Sequence, residues 1–213
     1  MQLQVTGVEK AYSGRTVLAE VSFELPKKSQ ALLLGPSGSG KSTLLNIICG
    51  LQSPDAGEVQ LGDAMITSSQ ADTIRRRHMG IIFQTLRLVS ALSVTANLAL
   101  AQRLQTGSTD SALIDQTLDR LGIAHRANAR PYELSQGEAQ RAAIARALVV
   151  RPDVLIADEP TSALDQANTE TVAKLLLELA QEAEATLLIA THDDRLKPYF
   201  DQTLELNDGR LSA

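Results

Sequence analysis

A three-layer α/β fold with an antiparallel N-terminal subdomain and a helical insertion is what this sequence predicts, on three observations. Three short, continuously apolar runs, Ala31–Leu34, Val154–Ala157 and Leu187–Ala190, are separated by helical patterns, as parallel strands covered on both faces are. Two earlier runs, Leu3–Val8 and Val17–Phe23, alternate apolar with polar residues and read as half-exposed antiparallel strands joined by the polar turn Ser13-Gly14-Arg15. Residues 88–150 contain no strand-like run and carry helical candidates at about 93–105, 110–121 and 136–150, with Gly107 and Pro131 as breakers. Later, Val172, Leu175, Leu176 and Leu179 form an i, i+3, i+4, i+7 stripe along Thr169–Gln181, spaced for a helix lying on the sheet. No repeat, low-complexity tract or linker divides the chain. One domain spanning 1–213, with a helical subdomain at about 88–150 set into the core, is therefore expected.

Composition narrows the partners. The 44% hydrophobic content is ordinary for a globular protein, and no apolar stretch approaches the roughly 20 residues of a membrane-spanning helix. The start, Met1–Val5, has neither the charged nor the apolar part of a signal peptide, so a cytosolic chain is expected. Cys49 is the only cysteine and sits in the apolar stretch Leu44–Cys49, where it reads as a small buried hydrophobe. A net charge of −5 offers no broad cationic surface for a nucleic-acid backbone, so no nucleic acid is expected as a partner. The basic cluster Arg75-Arg76-Arg77-His78 reads as a solvated helix face. With three Phe, three Tyr and no Trp, the place of Tyr12 near the first turn is informative.

The first buried run leads directly into Gly35-Pro36-Ser37-Gly38-Ser39-Gly40-Lys41-Ser42, which has the form G-x-x-x-x-G-K-[ST], and the helical stretch beginning at Thr43 follows. Glycines let the backbone turn its N–H groups inward round an anion, and the next helix adds its positive N-terminal dipole. Lys41 then faces β- and γ-phosphates and Ser42 faces Mg²⁺. A mere Gly/Ser-rich turn is the alternative. Strand, loop and helix fall in the order that a P-loop NTPase core requires, and the chain is read as nucleotide-binding.

Val154–Ala157 ends in Asp158 and Glu159, two carboxylates that belong at the strand tip, where ligands collect in open parallel sheets. Asp158 suits Mg²⁺, directly or through water. Glu159 can orient a water against the γ-phosphate or act as a base. His192 follows the next buried run and should emerge at the same edge; a structural hydrogen bond and a catalytic imidazole both fit it. Gln84, after the short strand Gly80–Phe83, can bind Mg²⁺ or a water, or neither. Ser135 with Glu138 three residues on is a capping box before an apolar-periodic helix; a second anion site at that helix start is equally compatible.

Together Gly35–Thr43, Gln84, Leu134-Ser135-Gln136-Gly137-Glu138, Val154–Glu159, Ser162-Ala163-Leu164-Asp165 and His192 resemble, in order and spacing, the ATP-binding cassette family over essentially the whole chain. The segment at 134–138 and Ser-Ala-Leu-Asp after the acidic strand are specific to that family. The resemblance implies that Tyr12 stacks on adenine, that Ser37–Thr43 hold the phosphates and that Gln84 senses Mg²⁺ and γ-phosphate. It implies His192 at the γ-phosphate and attacking water, and Glu159 as the catalytic carboxylate. It also implies a head-to-tail dimer, in which Ser135 and Gly137 of one copy close the ATP site of the other and Asp165 links the two sites. Two departures stand out: Gln136 replaces the usual glycine and Glu138 the usual glutamine. Glu138 completes the capping box, while Gln136 adds a side chain at the closing surface.

A transporter cassette with no spanning helix works through a separate transmembrane permease, as a peripheral subunit on the cytoplasmic face of the inner membrane. Gln84 and the helices after it would form the joint, with Leu86, Leu88, Val89 and Leu92 as contacts; core packing explains those four equally well. Leu-Ser-x-Gly-Glu-x-Gln-Arg at 134–141 and Phe83-Gln84 are most similar to the lipoprotein-release and macrolide-efflux group, so export or efflux is expected. The alternative is a small-solute importer, since Tyr132–Ser135 also fits importers. A small-molecule kinase would need an acceptor, and non-transport cassettes generally carry paired cassettes or long coiled-coil insertions.

Overall fold

Two sheets and the helices packed on them account for the described residues of the computed structural model, 1–160 and 166–212. The first sheet is antiparallel, in the order β2 (Arg15–Leu25), β1 (Leu3–Tyr12), β4 (Ala56–Leu61) and β5 (Ala64–Met65). β1 and β2 pair from Leu3↔Leu25 to Tyr12↔Arg15, and the tight turn between them is made by Ser13 and Gly14 at φ 48° and 81°.

The second sheet runs β10 (Arg210–Ser212), β9 (Gln202–Asn207), β3 (Gln30–Leu34), β8 (Thr186–Thr191), β7 (Val154–Asp158), β6 (Met79–Ile82), parallel except for the β9–β10 hairpin. Its two faces bury different side chains of the same strands. Ala31, Leu33, Val154, Ile156, Leu188 and Ala190 pack with α1 (Lys41–Ile48) and the antiparallel sheet. Leu32, Leu34, Leu155, Ala157, Leu187 and Ile189 pack with the other helices. Two-sided burial is why these runs carry no polar residue.

Between β6 and β7 lie α3 (Val94–Thr106), α4 (Ser111–Arg120), the 3₁₀ turns Ala124–Arg126 and Pro131–Glu133, and α5 (Gln136–Leu148). Side-chain oxygens of Ser93, Asp110 and Ser135 accept from Ala96, Leu113 and Glu138 N–H, starting each helix within a residue of its expected place. Gly107, at φ 81°, ends α3. α5 packs on β6 as well as on α3 and α4, so it ties the helical part to the core. α6 (Gln166–Glu182) lies on the sheet through Ala173, Leu176, Leu179 and Ala180.

β4, β5, β9 and β10 were not legible as strands. β9 buries only Leu206 fully, and its pattern is diluted by Gln202, Thr203 and Glu205; Asp208-Gly209, at φ 46° and 76°, was the available hairpin signal. Nor is the basic cluster on α2 (Ala71–His78) uniformly solvated. Arg76 and Arg77 are exposed, but Arg75 pairs with Asp72 and donates to the carbonyls of Cys49 and Gly50 at 3.3 Å each, capping the end of α1. Cys49 is buried as expected, and burial pushes its thiol up to about 12, leaving it inert. Among the described residues no helix is long and apolar enough to cross a membrane.

Candidate active site

Strand register assembles the site. Leu34 pairs with Thr191, Ala190 with Asp158, and Ala157 with Ile82, so β3, β8, β7 and β6 end side by side. The glycine loop, His192, Asp158-Glu159 and Gln84 therefore leave the sheet along one edge, although they are scattered through the sequence.

In the loop, a Cβ on Gly35 would sit 2.2 Å from the Leu206 carbonyl oxygen, and one on Gly40, at φ 106°, would sit 2.8 Å from the Val17 carbonyl oxygen. No side chain fits at either place, so the loop closes on backbone alone. Gly35→Ala should lower stability by roughly 1–3 kcal/mol or more, because the clash is with main chain that cannot yield; a thermal melt indistinguishable from the parent would contradict this. Unlike α3, α4 and α5, α1 begins with no side-chain cap, and its first turn holds no acidic residue, leaving its opening N–H groups directed at the loop. Lys41 is 6% exposed; its Nζ donates to Gly35 O at 2.8 Å and Pro36 O at 3.1 Å. Ser37, Gly38, Gly40, Lys41, Ser42 and Thr43 line a cleft of about 220 Å³ together with Val17, Gln84 and Glu159. Pro36 and Gly35 border a second cleft, of about 330 Å³, shared with His192. A roomier groove of about 740 Å³ lies between α4 and the end of α6, walled by Leu113, Leu121, Leu148 and Leu179. It touches none of the expected site residues among those described and shares no wall with the cleft at the glycine loop.

Glu159 turns out of β7 at φ 47°, an uncommon conformation for a side-chain-bearing residue, and its N–H is held by Ala190 O at 2.9 Å. Its carboxylate is 3.7 Å from Lys41 Nζ and takes a hydrogen bond from His192 Nδ1, 3.0 Å from each oxygen. A carboxylate only accepts, so Nδ1 donates in this bond, and Nε2 is the ring nitrogen that Glu159 does not engage. The Thr191 hydroxyl donates to the same carboxylate at 3.4 Å. Beside it, Asp158 has one oxygen, Oδ1, buried without a hydrogen-bond partner. Burial pushes the Asp158 carboxyl above the usual carboxylate range, the Ser42 hydroxyl opposes that shift, the Glu159 charge adds to it and Lys41 lowers it. A buried orphan carboxylate oxygen next to a serine hydroxyl is a donor set that fits a hard divalent cation.

Tyr12, at the end of β1 and 45% exposed, rises from the hairpin whose Val17 borders the cleft. Its hydroxyl is held by Gln52, and Lys10 Nζ stands 5.8 Å from the ring centroid. Gln84 is exposed and lines the cleft. The exit after it is unusual: Leu86 and Arg87 both have positive φ, 58° and 47°, and Arg87 stacks on the Phe83 ring at 4.1 Å. Arg146, near the end of α5, donates to the Arg87 carbonyl and to Ile81 O. Asn97, 2% exposed, grips the following loop through Val89 N–H and the carbonyls of Val89, Leu92 and Ser93. Neither residue was expected; an arginine inside the apolar run Ala142–Val150 was the signal for Arg146. Of the four expected contact residues Val89 is exposed, Leu86 and Leu92 are half-buried, and Leu88 packs on the core.

Ser135 and Gly137 stand at the start of α5 and do not line the cleft of their own subunit. The capping box forms: Ser135 N–H and hydroxyl reach Glu138 Oε2 at 2.8 and 2.7 Å. Arg126 Nε, 2.6 Å from Oε1, is the main reason that the Glu138 carboxyl is held down to about 2, with Ser135 and His125 assisting and burial opposing. Gln136 is exposed. Asp165, with Ser162–Leu164 before it, lies outside the described residues.

The family description "ABC transporter" matches residues 18–162. This chain belongs to the ABC transporter ATPase family. It is similar to the lipoprotein-releasing system ATP-binding protein LolD of Hydrogenovibrio crunogenus, at 38% identity over 98% of this chain and 95% of that one. A solved dimer of the bacterial ABC transporter cassette MJ0796 superposes with a TM-score of 0.90 at 31% identity, covering 99% of this chain and 97% of that one. A post-hydrolysis dimer of the same cassette, bound to ADP and Pi, gives 0.89 at 32% identity, with the same coverage. The chain is an ATP-binding, ATP-hydrolysing subunit of an ABC transporter.

Proposed function

We propose that two copies of this ATPase close on ATP and drive a separate transmembrane permease, in lipoprotein release or a related export process, from the cytoplasmic face of the inner membrane. The observation that carries the ATP chemistry is the Glu159 carboxylate, set 3.7 Å from Lys41 Nζ and 3.0 Å from His192 Nδ1 at the mouth of the glycine loop. The transport class rests on similarity to the LolD protein. The chain acts as one domain, 1–213, with the helical subdomain at about 88–150 carrying the closing surface.

Within each site, loop N–H groups from Ser37 to Thr43 and the Lys41 ammonium hold the phosphates, and Tyr12 stacks on the adenine. Mg²⁺ would be held by Ser42 and Gln84, with Asp158 directly or through water, and when bound it neutralises charge on the β- and γ-phosphates. Glu159 orients the attacking water and receives its proton. His192, fixed by Glu159 through Nδ1, offers its other ring nitrogen to the γ-phosphate region. Ser135 and Gly137 come from the other copy. Gly137 supports that view, because a Cβ there would meet only Arg141 Nη1 at 3.6 Å. Nothing among the described residues needs a glycine in this helix, where it costs about 1 kcal/mol relative to alanine; an approaching phosphate does. Asp165 links the two sites.

For the permease, the reading centres on Gln84 and a nearby groove of about 180 Å³ with an apolar floor of Ile81, Phe83, Ala101 and Leu104. Arg75, Arg76 and Arg146 rim it, and Leu104 is 55% exposed. An amphipathic helix with acidic residues at its edge fits such a surface.

Phosphate release by the purified protein with no acceptor present separates this ATPase from a kinase. Co-expression with a membrane protein encoded beside it, and ATP-dependent release of a lipoprotein from vesicles containing both, tests the transport class. Tyr12→Ala should weaken ATP binding by about 1–3 kcal/mol, the scale of a base on an aromatic ring. Calorimetry showing unchanged affinity would remove Tyr12 from the site.

A further inference from the structure

The carboxylate of Glu138 joins the start of α5 to a different element. On one side, Oε2 accepts from the Ser135 N–H at 2.8 Å and from the Ser135 hydroxyl at 2.7 Å. On the other, Oε1 accepts from Arg126 Nε at 2.6 Å and stands 3.3 Å from His125 Nε2. Arg126 belongs to the 3₁₀ turn that follows α4. That turn does not need the guanidinium to hold its shape, since its backbone bonds Arg126 N→Ile123 O, Ala127 N→Ala124 O and Ala129 N→Arg126 O measure 2.9, 3.1 and 2.9 Å.

Two physical consequences meet at Ser135. Its hydroxyl proton is committed to Glu138, so giving a hydrogen bond to a phosphate oxygen means leaving a carboxylate that competes for it. Glu138 is also 8% exposed and carries a full negative charge at the helix start that has to receive an anion. Left alone, that charge opposes the phosphate through poorly screened space. The cation that balances it comes from Arg126.

We propose that Arg126 is a positioning residue for ATP-driven closure, balancing Glu138 so that the Ser135 helix start receives the γ-phosphate bound by the other copy. This rests on the two-copy reading above. Arg126 lines neither cleft at the glycine loop; it acts through Glu138 on Ser135. The departure of Glu138 from the family's usual glutamine is thereby matched elsewhere in the chain, and the two positions form one functional unit.

The test is a double-variant cycle in a Glu159→Gln background, following dimer formation by light scattering against ATP concentration with Mg²⁺ present. Arg126→Met should raise the ATP concentration for half-maximal dimer by about tenfold or more, the scale of one unbalanced charge near an anion. Arg126→Lys, which keeps the charge without the guanidinium geometry, should shift it by less. Adding Glu138→Gln to Arg126→Met should recover most of the loss, an outcome that a merely structural role for Arg126 does not produce. Nucleotide affinity of the monomer and the melting temperature, read alongside, identify any unfolded variant; should Arg126→Met be one, Arg126→Lys with and without Glu138→Gln gives the same comparison. A midpoint unmoved by the Arg126 substitutions, or a deficit that persists with Glu138→Gln, overturns the proposal while the two-copy reading stands. A parent that stays monomeric with ATP overturns both.

Discussion

Glu159→Gln is expected to bind ATP, lose about 10²–10⁴-fold in turnover, as removal of a general base does, and accumulate as a dimer. Glutamine keeps the shape of the side chain and one acceptor oxygen for His192 Nδ1, now 3.0 Å from both carboxylate oxygens. What it lacks is the negative charge that takes up a proton from water. That charge also lies 3.7 Å from Lys41 Nζ, so removing it frees the ammonium for phosphate and lowers repulsion in the cleft. Binding and closure should therefore be kept or strengthened while cleavage stops. Phosphate release and light scattering with ATP and Mg²⁺ measure the two effects separately; turnover near the parent's would show that another group positions the water.

Lys41→Ala is expected to abolish measurable ATP binding. The ammonium is nearly enclosed, and Gly35 O and Pro36 O hold it at 2.8 and 3.1 Å beneath the loop. Truncating one member of an enclosed, hydrogen-bonded charge pair costs about 2–5 kcal/mol. Here the loss is compounded, because Glu159 would remain as an unbalanced carboxylate lining the same cleft. Titration calorimetry with ATP should give no saturable heat, and the melt should drop modestly as two loop carbonyls lose a donor. Binding within a few-fold of the parent's would mean that the loop backbone alone carries the phosphates.

Much of this is legible in the sequence, for identifiable reasons. The glycine loop is legible because φ values such as 106° at Gly40 and the absence of room at Gly35 admit no other residue. Helix starts are legible because Ser93, Asp110 and Ser135 cap them with their own side chains. β9 was not, because its role is to flank β3, a pairing made with residues far along the chain. Arg146 was missed for the same reason, since it satisfies the Arg87 carbonyl on another segment; Asn97 bonds the loop just before its own helix, and no residue pattern there marks it in advance. The family resemblance supplied roles for Ser135 and Gly137 that local chemistry could not separate from a plain helix cap.

Sequence alone determined which segments are strands buried on both faces, where the phosphate loop lies and which carboxylates end the acidic strand, because each depends on short-range spacing and on the steric demands of individual residues. Tertiary structure decided the strand order β9-β3-β8-β7-β6, which brings Glu159 to Lys41 and His192, and the meeting of Arg126 with Glu138. The strand pairings join segments distant along the chain and follow from how the sheet's two faces are buried, a property of the whole packed molecule, while Arg126 meets Glu138 through the packing of the 3₁₀ turn against the start of α5.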